Sequence, residues 1–174
     1  MKNIRLLLLL LICIITTTAR ADFNDGVVAY LMADYEKAFK TMQSLAETSD
    51  HGYAQYYMGM MYLKGQGVDQ DYEAASNWFR KASEKNIAQA QYKLGDLYFK
   101  GRGVPKDYEY SYIWFSVGAS HKHDMSVKAI KKAKEKLSNE ELKEADKVIA
   151  TYIKKYGPPL NKRKQKKEKD CGWQ

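Results

Sequence analysis

The sequence predicts an all-α protein built as an α-solenoid of antiparallel helix pairs. Three observations predict it. The stretch YLKGQGVDQDYE, beginning at Tyr62, returns as YFKGRGVPKDYE from Tyr98. Around it, Ala54-Gln55-Tyr56, Gly59 and Trp78-Phe79 recur one period later as Ala90-Gln91-Tyr92, Gly95 and Trp114-Phe115. The triplet Asp-Tyr-Glu also occurs earlier, at Asp34-Tyr35-Glu36, which marks a partial unit ahead of two full ones. Self-similarity at a fixed period is the signature of stacked supersecondary units. A helix hairpin that cannot bury both its faces alone gains a continuous core by stacking.

The chain opens with Lys2 and Arg5, then an apolar run over residues 6–15, then Ala19-Arg20-Ala21. A positive start, an apolar stretch and a small-x-small site form a secretory signal peptide, expected over 1–21 with cleavage after Ala21. The run is too short for a bilayer span, which needs roughly 20 residues, so no transmembrane segment is expected after cleavage. A lipid anchor at Cys13 does not fit, because Leu10-Leu11-Ile12 ahead of it lacks small residues. The expected location is periplasmic or secreted. Removal of the leader takes Cys13 away and leaves Cys171 alone, so no internal disulfide is expected. Cys171 is then a free thiol or an intermolecular link.

The repeat domain is expected over 22–157. Its partial unit, 24–52, pairs a short helix over 24–32 with one over 35–47. The first full unit, 53–88, starts with a helix over 54–64, where Ala54, Met58, Met61 and Tyr62 fall at helical spacing as its buried side. Gly65 can take the left-handed conformation that ties off a helix end, and Gly67 permits a second sharp change of direction. Asp71 is placed as the N-cap of the next helix, with Glu73 adding favourable charge in its first turn. That helix, over 72–84, points Ala75, Trp78, Phe79 and Ala82 inward. The second full unit, 89–123, copies the plan, with Pro105 stiffening its loop. Gly59 and Gly95 lie inside helices, where glycine costs roughly 1 kcal/mol against alanine. The cost makes sense where a neighbouring helix presses close, with Trp or Tyr over the gap.

A last pair of helices is expected to cap the stack over 124–156. Val127, Ile130 and Ala133 mark the first, and Ser138-Asn139-Glu140-Glu141 has the S-x-x-E capping-box pattern that opens the second. Gly157-Pro158-Pro159 ends it. The segment 158–174 is too charged and apolar-poor to fold. Its basic residues run from Lys162 to Lys169, against Glu168 and Asp170. The formal net charge of +8 thus resides largely in the leader and the tail, and the body is close to neutral. A nucleic-acid groove would carry a basic face, so no nucleic-acid partner is expected. The tail itself is a candidate for an anionic surface or polymer.

The pattern A-Q-Y-x-[ML]-G-x-x-Y-x-K-G-x-G-V-x-x-D-Y-E, followed by W-F, resembles the Sel-one-like repeat, a relative of the tetratricopeptide repeat with a longer interhelix loop. The likeness covers about 34 to 120. It implies a right-handed α-solenoid and an adaptor role, since the family is known chiefly for assembling or regulating other proteins. The second copy departs at its end, where Val117-Gly118 replace the Lys81-Ala82 of the first, as suits a terminal unit. Some exported relatives carry a disulfide in each repeat; this chain does not follow them.

Catalytic signatures are not apparent. Gly65-x-Gly67 and Gly101-x-Gly103 follow helices and have neither the third glycine nor the Gly-Lys-Ser/Thr ending of a phosphate loop. HExxH, GxSxG and SxxK do not occur. His121-Lys122-His123-Asp124 has no evident further metal ligand. Asp71 and Asp107 recur together, but a helix cap explains both. No enzyme activity, metal or cofactor is therefore expected. In tetratricopeptide-like stacks the first helix of each pair lines the concave side. In the first unit that gives Tyr53, Tyr56, Met60, Leu63 and Lys64 as partner-binding candidates. In the second it gives Gln89, Tyr92, Asp96, Phe99 and Lys100. Aromatic residues and Met are favoured at interfaces. Tyr56 and Tyr92 are identical between copies and so also candidates for plain packing. The expected function is a non-enzymatic adaptor or regulator of the cell envelope, binding a protein or peptide in its concave groove. The alternatives are an enzyme acting on an envelope polymer such as peptidoglycan, or a binder of anionic polymers through the tail.

Overall fold

The computed structural model describes residues 23–158. The expected leader at 1–21 and the basic stretch beyond Pro158, with Cys13 and Cys171 in them, lie outside the described residues. Eight helices and no strands occur among the described residues. They are α1 (23–31), α2 (Tyr35–Thr48), α3 (Gly52–Lys64), α4 (Tyr72–Glu84), α5 (Ala88–Lys100), α6 (Tyr108–Ser120), α7 (Asp124–Lys134) and α8 (Asn139–Tyr156). From α2 to α7 each helix packs chiefly against its neighbours in sequence, which is how a helical solenoid grows. No described helix is long and apolar enough to cross a membrane.

The repeated stretch acts as predicted at both ends of its loop. Gly65 and Gly101 close α3 and α5 with φ of 66° and 65°. Asp71 accepts the Glu73 and Ala74 amides at 2.8 and 2.9 Å, and Asp107 accepts the Tyr110 amide at 2.9 Å. Asp34 caps α2 in the same manner. The second glycine does more than turn the chain. At Gly67, φ is 72° and an added Cβ would overlap the Tyr35 carbonyl oxygen; at Gly103, φ is 69° and a Cβ would overlap the Tyr72 carbonyl. Each glycine loop is thus laid directly on the start of the Asp-Tyr-Glu helix one unit earlier. The third triplet, at 34–36, exists because the first loop needs something to rest on.

The helical glycines also mark close approach, though the covering ring differs from expectation. A Cβ on Gly59 would come within 2.7 Å of the Phe79 ring, and one on Gly95 within 2.7 Å of Phe115. Phenylalanine of the paired helix fills the gap, not Trp or Tyr. Trp78 is only half-buried, with the Lys81 ammonium over its ring at 4.3 Å, and Tyr62 is half-buried against Phe39. The fully inward positions of α4 include small polar ones, Ser76 and Ser83, beside Ala75, Phe79 and Ala82.

Two buried glutamines join successive units. Gln55 Nε2 donates to Asp50 Oδ1 at 2.7 Å and to the Ala46 carbonyl at 3.5 Å. Gln91 Nε2 donates to the Ser83 carbonyl at 3.2 Å and to the Tyr156 carbonyl at 2.9 Å. Each takes up a carbonyl in the last turn of the preceding helix, where the regular i to i−4 ladder has run out.

The C-terminal helices do not form a repeat-like pair. The capping box at Ser138 is present, with Ser138 Oγ accepting the Glu141 amide and Glu141 accepting the Ser138 amide. Yet α8 packs on α6 rather than on α7. Ala145 and Ile149 are its buried residues, Tyr112 donates to Asp146 Oδ1 at 2.9 Å, and Tyr152 and Tyr156 lie against Trp114. The reason lies in α7. It occupies the first-helix position of a third unit, but Lys131 stands where Gly59 and Gly95 allow a partner helix to approach. Leu137 and Asn139 stand where the two turn glycines would be. Without them the clasped turn of the repeat is not formed, and α8 covers the open side of α6 instead.

Candidate functional site

The first helices of the units, α3, α5 and α7, carry the predicted binding positions. On α3, Tyr53 and Lys64 are exposed, while Tyr56, Met60 and Leu63 are half-buried against the core. Tyr56 leans on Phe79 with ring centroids 5.9 Å apart, so its recurrence is explained in part by packing. Tyr92 on α5 sits against Phe115 at 5.6 Å and His123 at 5.5 Å. Gln89 is exposed, Lys100 is exposed, and Asp96 and Phe99 are half-buried.

Four of these ten candidates come together. Tyr92, Asp96, Phe99 and Lys100 form one wall of a cleft of about 270 Å³ between α5 and α7. Met125, Lys128, Ala129 and Lys132 form the other wall, and Phe115 of α6 lies at its base. The α3 candidates and Gln89 do not line it. The α7 wall was not anticipated, although its signal was in the sequence. One further repeat shift carries Gln89 to Met125, Tyr92 to Lys128 and Asp96 to Lys132. The same shift carries Lys93 to Ala129. A long side chain in the second unit is matched by a methyl group in the third, and that is where space opens.

The register is set by helix starts. His51, Ile87 and His123 are the N-caps of α3, α5 and α7. His51 Nδ1 accepts the Ala54 amide at 3.1 Å, and His123 Nδ1 accepts the Ser126 amide at 3.3 Å, so the neutral ring is the capping form. The preceding residues Asp50, Asn86 and Lys122 are left-handed, with φ of 49°, 64° and 62°. His121 is held by the Tyr156 carbonyl at 2.9 Å. Both histidines of the His-Lys-His run thus have structural partners. Among the described residues no group of three or more His, Cys, Asp or Glu is placed to hold a metal.

The cleft is apolar within and cationic at its edge. Asp96, its one carboxylate, is bonded to Lys100 at 2.7 Å. Among the described residues Lys128 and Lys132 have no acidic partner. Burial pushes the Tyr92 hydroxyl pKa up, with Asp96 adding and Lys100 opposing. Burial also lowers the Lys93 ammonium, opposed by Asp96 and reinforced by Lys64 and Lys100. This arrangement offers contact and charge rather than a nucleophile paired with a base.

Stacked helix units, clasped loop to helix and presenting a shallow lined cleft, define a helical-repeat scaffold. Residues 52–87 and 88–123 match the Sel1 repeat, so the chain carries two of these repeats. Sel1-repeat proteins are typically non-catalytic and generally mediate protein–protein interaction. Among solved structures the chain is similar to c5321, a protective antigen present in uropathogenic Escherichia coli strains displaying an SLR fold. The identity is 27% and the TM-score 0.77, over 90% of this chain and 33% of that one. It is also similar to a Sel1 repeat protein from Oxalobacter formigenes, at 30% identity and a TM-score of 0.57, over 62% of this chain and 44% of that one. The chain thus spans about a third of the first structure and less than half of the second. Among curated proteins none matches it.

Proposed function

We propose that this protein is a non-enzymatic adaptor of the cell envelope that binds a protein or peptide across α3, α5 and α7, the concave side of its repeats. The observation that carries the reading is the α5–α7 cleft, in which Tyr92 and Asp96 face their repeat equivalents Lys128 and Lys132 on the next first helix. A surface built from one position of each unit suits an extended or helical segment that runs across the units. The helices are fixed by caps and clasps, so little conformational entropy is lost on binding. Export to the periplasm or outside the cell is supported by Lys2 and Arg5, the apolar run over 6–15 and the Ala19-Arg20-Ala21 site.

The test is site-specific photocrosslinking in the native host. A photoreactive residue at Tyr56, Leu63 or Phe99 is expected to capture one recurrent protein. The same residue at Glu73 or Glu144 is expected not to. Capture from the second set alone overturns the assignment of the face. Fractionation with N-terminal sequencing checks the location, with Asp22 expected as the first residue.

A further inference from the structure

We infer that the α5–α7 cleft takes an acidic segment of a partner protein, seating one large apolar side chain between flanking carboxylates. This rests on the binding face proposed above and names the chemistry of what occupies it. The interior is set by the buried ring of Phe115 below and by Tyr92 and Phe99 beside it. At about 270 Å³ it lies below the roughly 300–1,000 Å³ of ordinary small-molecule pockets. A single bulky side chain suits it better than a whole ligand. The opening exists because Ala129 stands where the previous unit has Lys93.

Charge selects the occupant. Lys128 and Lys132 lie one helical turn apart at the rim, and Lys131 lies beside them in sequence, with Asp124 the single acid of α7. On the facing wall Asp96 is already engaged by Lys100. Unpaired ammonium groups around an apolar notch favour carboxylates on either side of the buried residue. The chain's own 160–174 segment is a poor fit, since six basic residues precede its end and would meet the same lysines. A second copy docked about a two-fold axis through this edge would bring its own lysine-rich α7 to it.

The experiment uses the whole chain lacking only the leader, and fluorescent synthetic peptides of Asp and Glu around one Phe. Matched peptides carry Ala for Phe, or Lys for the acids. Saturable binding of the Phe peptide is expected, weakening as salt rises. The Ala peptide should bind about tenfold more weakly or worse, as the loss of one buried side chain implies. Ala129→Leu, which fills the notch without altering charge, should cause a similar loss. Lys128→Glu with Lys132→Glu, at exposed positions, should abolish binding while the helical circular dichroism is unchanged. Equal binding of the Phe and Ala peptides, undiminished by Ala129→Leu, overturns the inference and leaves diffuse polyanion attraction. Displacement of the Phe peptide by phosphatidylglycerol vesicles at the same charge concentration overturns it in favour of a lipid surface. If no peptide binds while crosslinking from Phe99 still captures a protein, this inference fails and the binding face stands.

Discussion

At the scale of single residues, four positions carry energies that can be checked. Gly59→Ala and Gly95→Ala would each place a methyl within 2.7 Å of a buried phenylalanine ring. Overpacking costs about 1–3 kcal/mol, and the helix regains about 1 kcal/mol from losing glycine. A net loss of up to about 2 kcal/mol is expected in urea titrations, and Phe79→Leu should recover part of it in the Gly59→Ala background. Lys122 is the opposite case. It adopts a φ of 62° where the equivalent positions hold Asp50 and Asn86, which tolerate that conformation better. Lys122→Gly should stabilise by about 1 kcal/mol, read as a raised midpoint. His123 supplies a pH dependence. Burial holds its pKa below the ordinary 6.5, against Asp124 and together with Lys93. The unfolded chain therefore binds the proton more readily, and the stability from the neutral cap is complete only above 6.5. It declines as pH falls below that value towards the folded pKa. The denaturation midpoint of the wild type should fall on going from about pH 7.5 to about 5.5. In His123→Asn, where a non-titrating cap replaces the ring, the fall should be smaller.

At the scale of elements, the interest lies in what fixes one helix to the next. Gln91 is fully buried and donates to carbonyls from two other helices, the end of α4 and the end of α8. Gln91→Met keeps the length of the side chain and removes two hydrogen bonds, leaving Ser83 with the Asn86 amide alone and Tyr156 with His121 alone. The cost should be about 1–3 kcal/mol, with faster amide hydrogen exchange over the last turn of α8. Gln55→Met should leave α8 exchange unchanged, since Gln55 bonds only to Asp50 and Ala46. The two glutamines show how legible the elements were. Helix existence and the cap residues could be read because glycine at a turn and Asp ahead of a helix act locally. The glutamines are just as regular in the sequence, but their partners lie in other helices, so repetition alone could not reveal whether they bind inward or outward. The cleft was half legible for a similar reason. Its α5 wall belongs to a strong repeat. Its α7 wall belongs to a unit so altered that only the register of His51, Ile87 and His123 betrays it.

At the scale of the whole molecule, the clasps decide how the units share their stability. In a repeat protein each unit touches only its neighbours, so stability is roughly a sum of unit terms and junction terms. The Gly103 loop rests on the start of α4 and is therefore a junction term between the two full units. Gly103→Ala meets a left-handed φ of 69° and the Tyr72 backbone at once. The combined cost is about 2–5 kcal/mol, and it falls on coupling more than on either unit. Native-state hydrogen exchange should therefore change in pattern as well as in degree. In the wild type the slowest amides of α3, α4, α5 and α6 should open together. In the variant those of α3 and α4 should open at lower free energy than those of α5 and α6. The latter remain held by α8, through Trp114 against Tyr152 and Tyr156 and through Tyr112 against Asp146. A uniform drop across all four helices would show that the clasp is not a junction, and that the stack holds together through its apolar core alone. The same logic explains where the stack stops. The 107–109 triplet has no glycine loop after it to rest upon it, since Leu137 and Asn139 stand at the two glycine positions. With no clasp to extend the series, α8 covers α6 in place of a further unit.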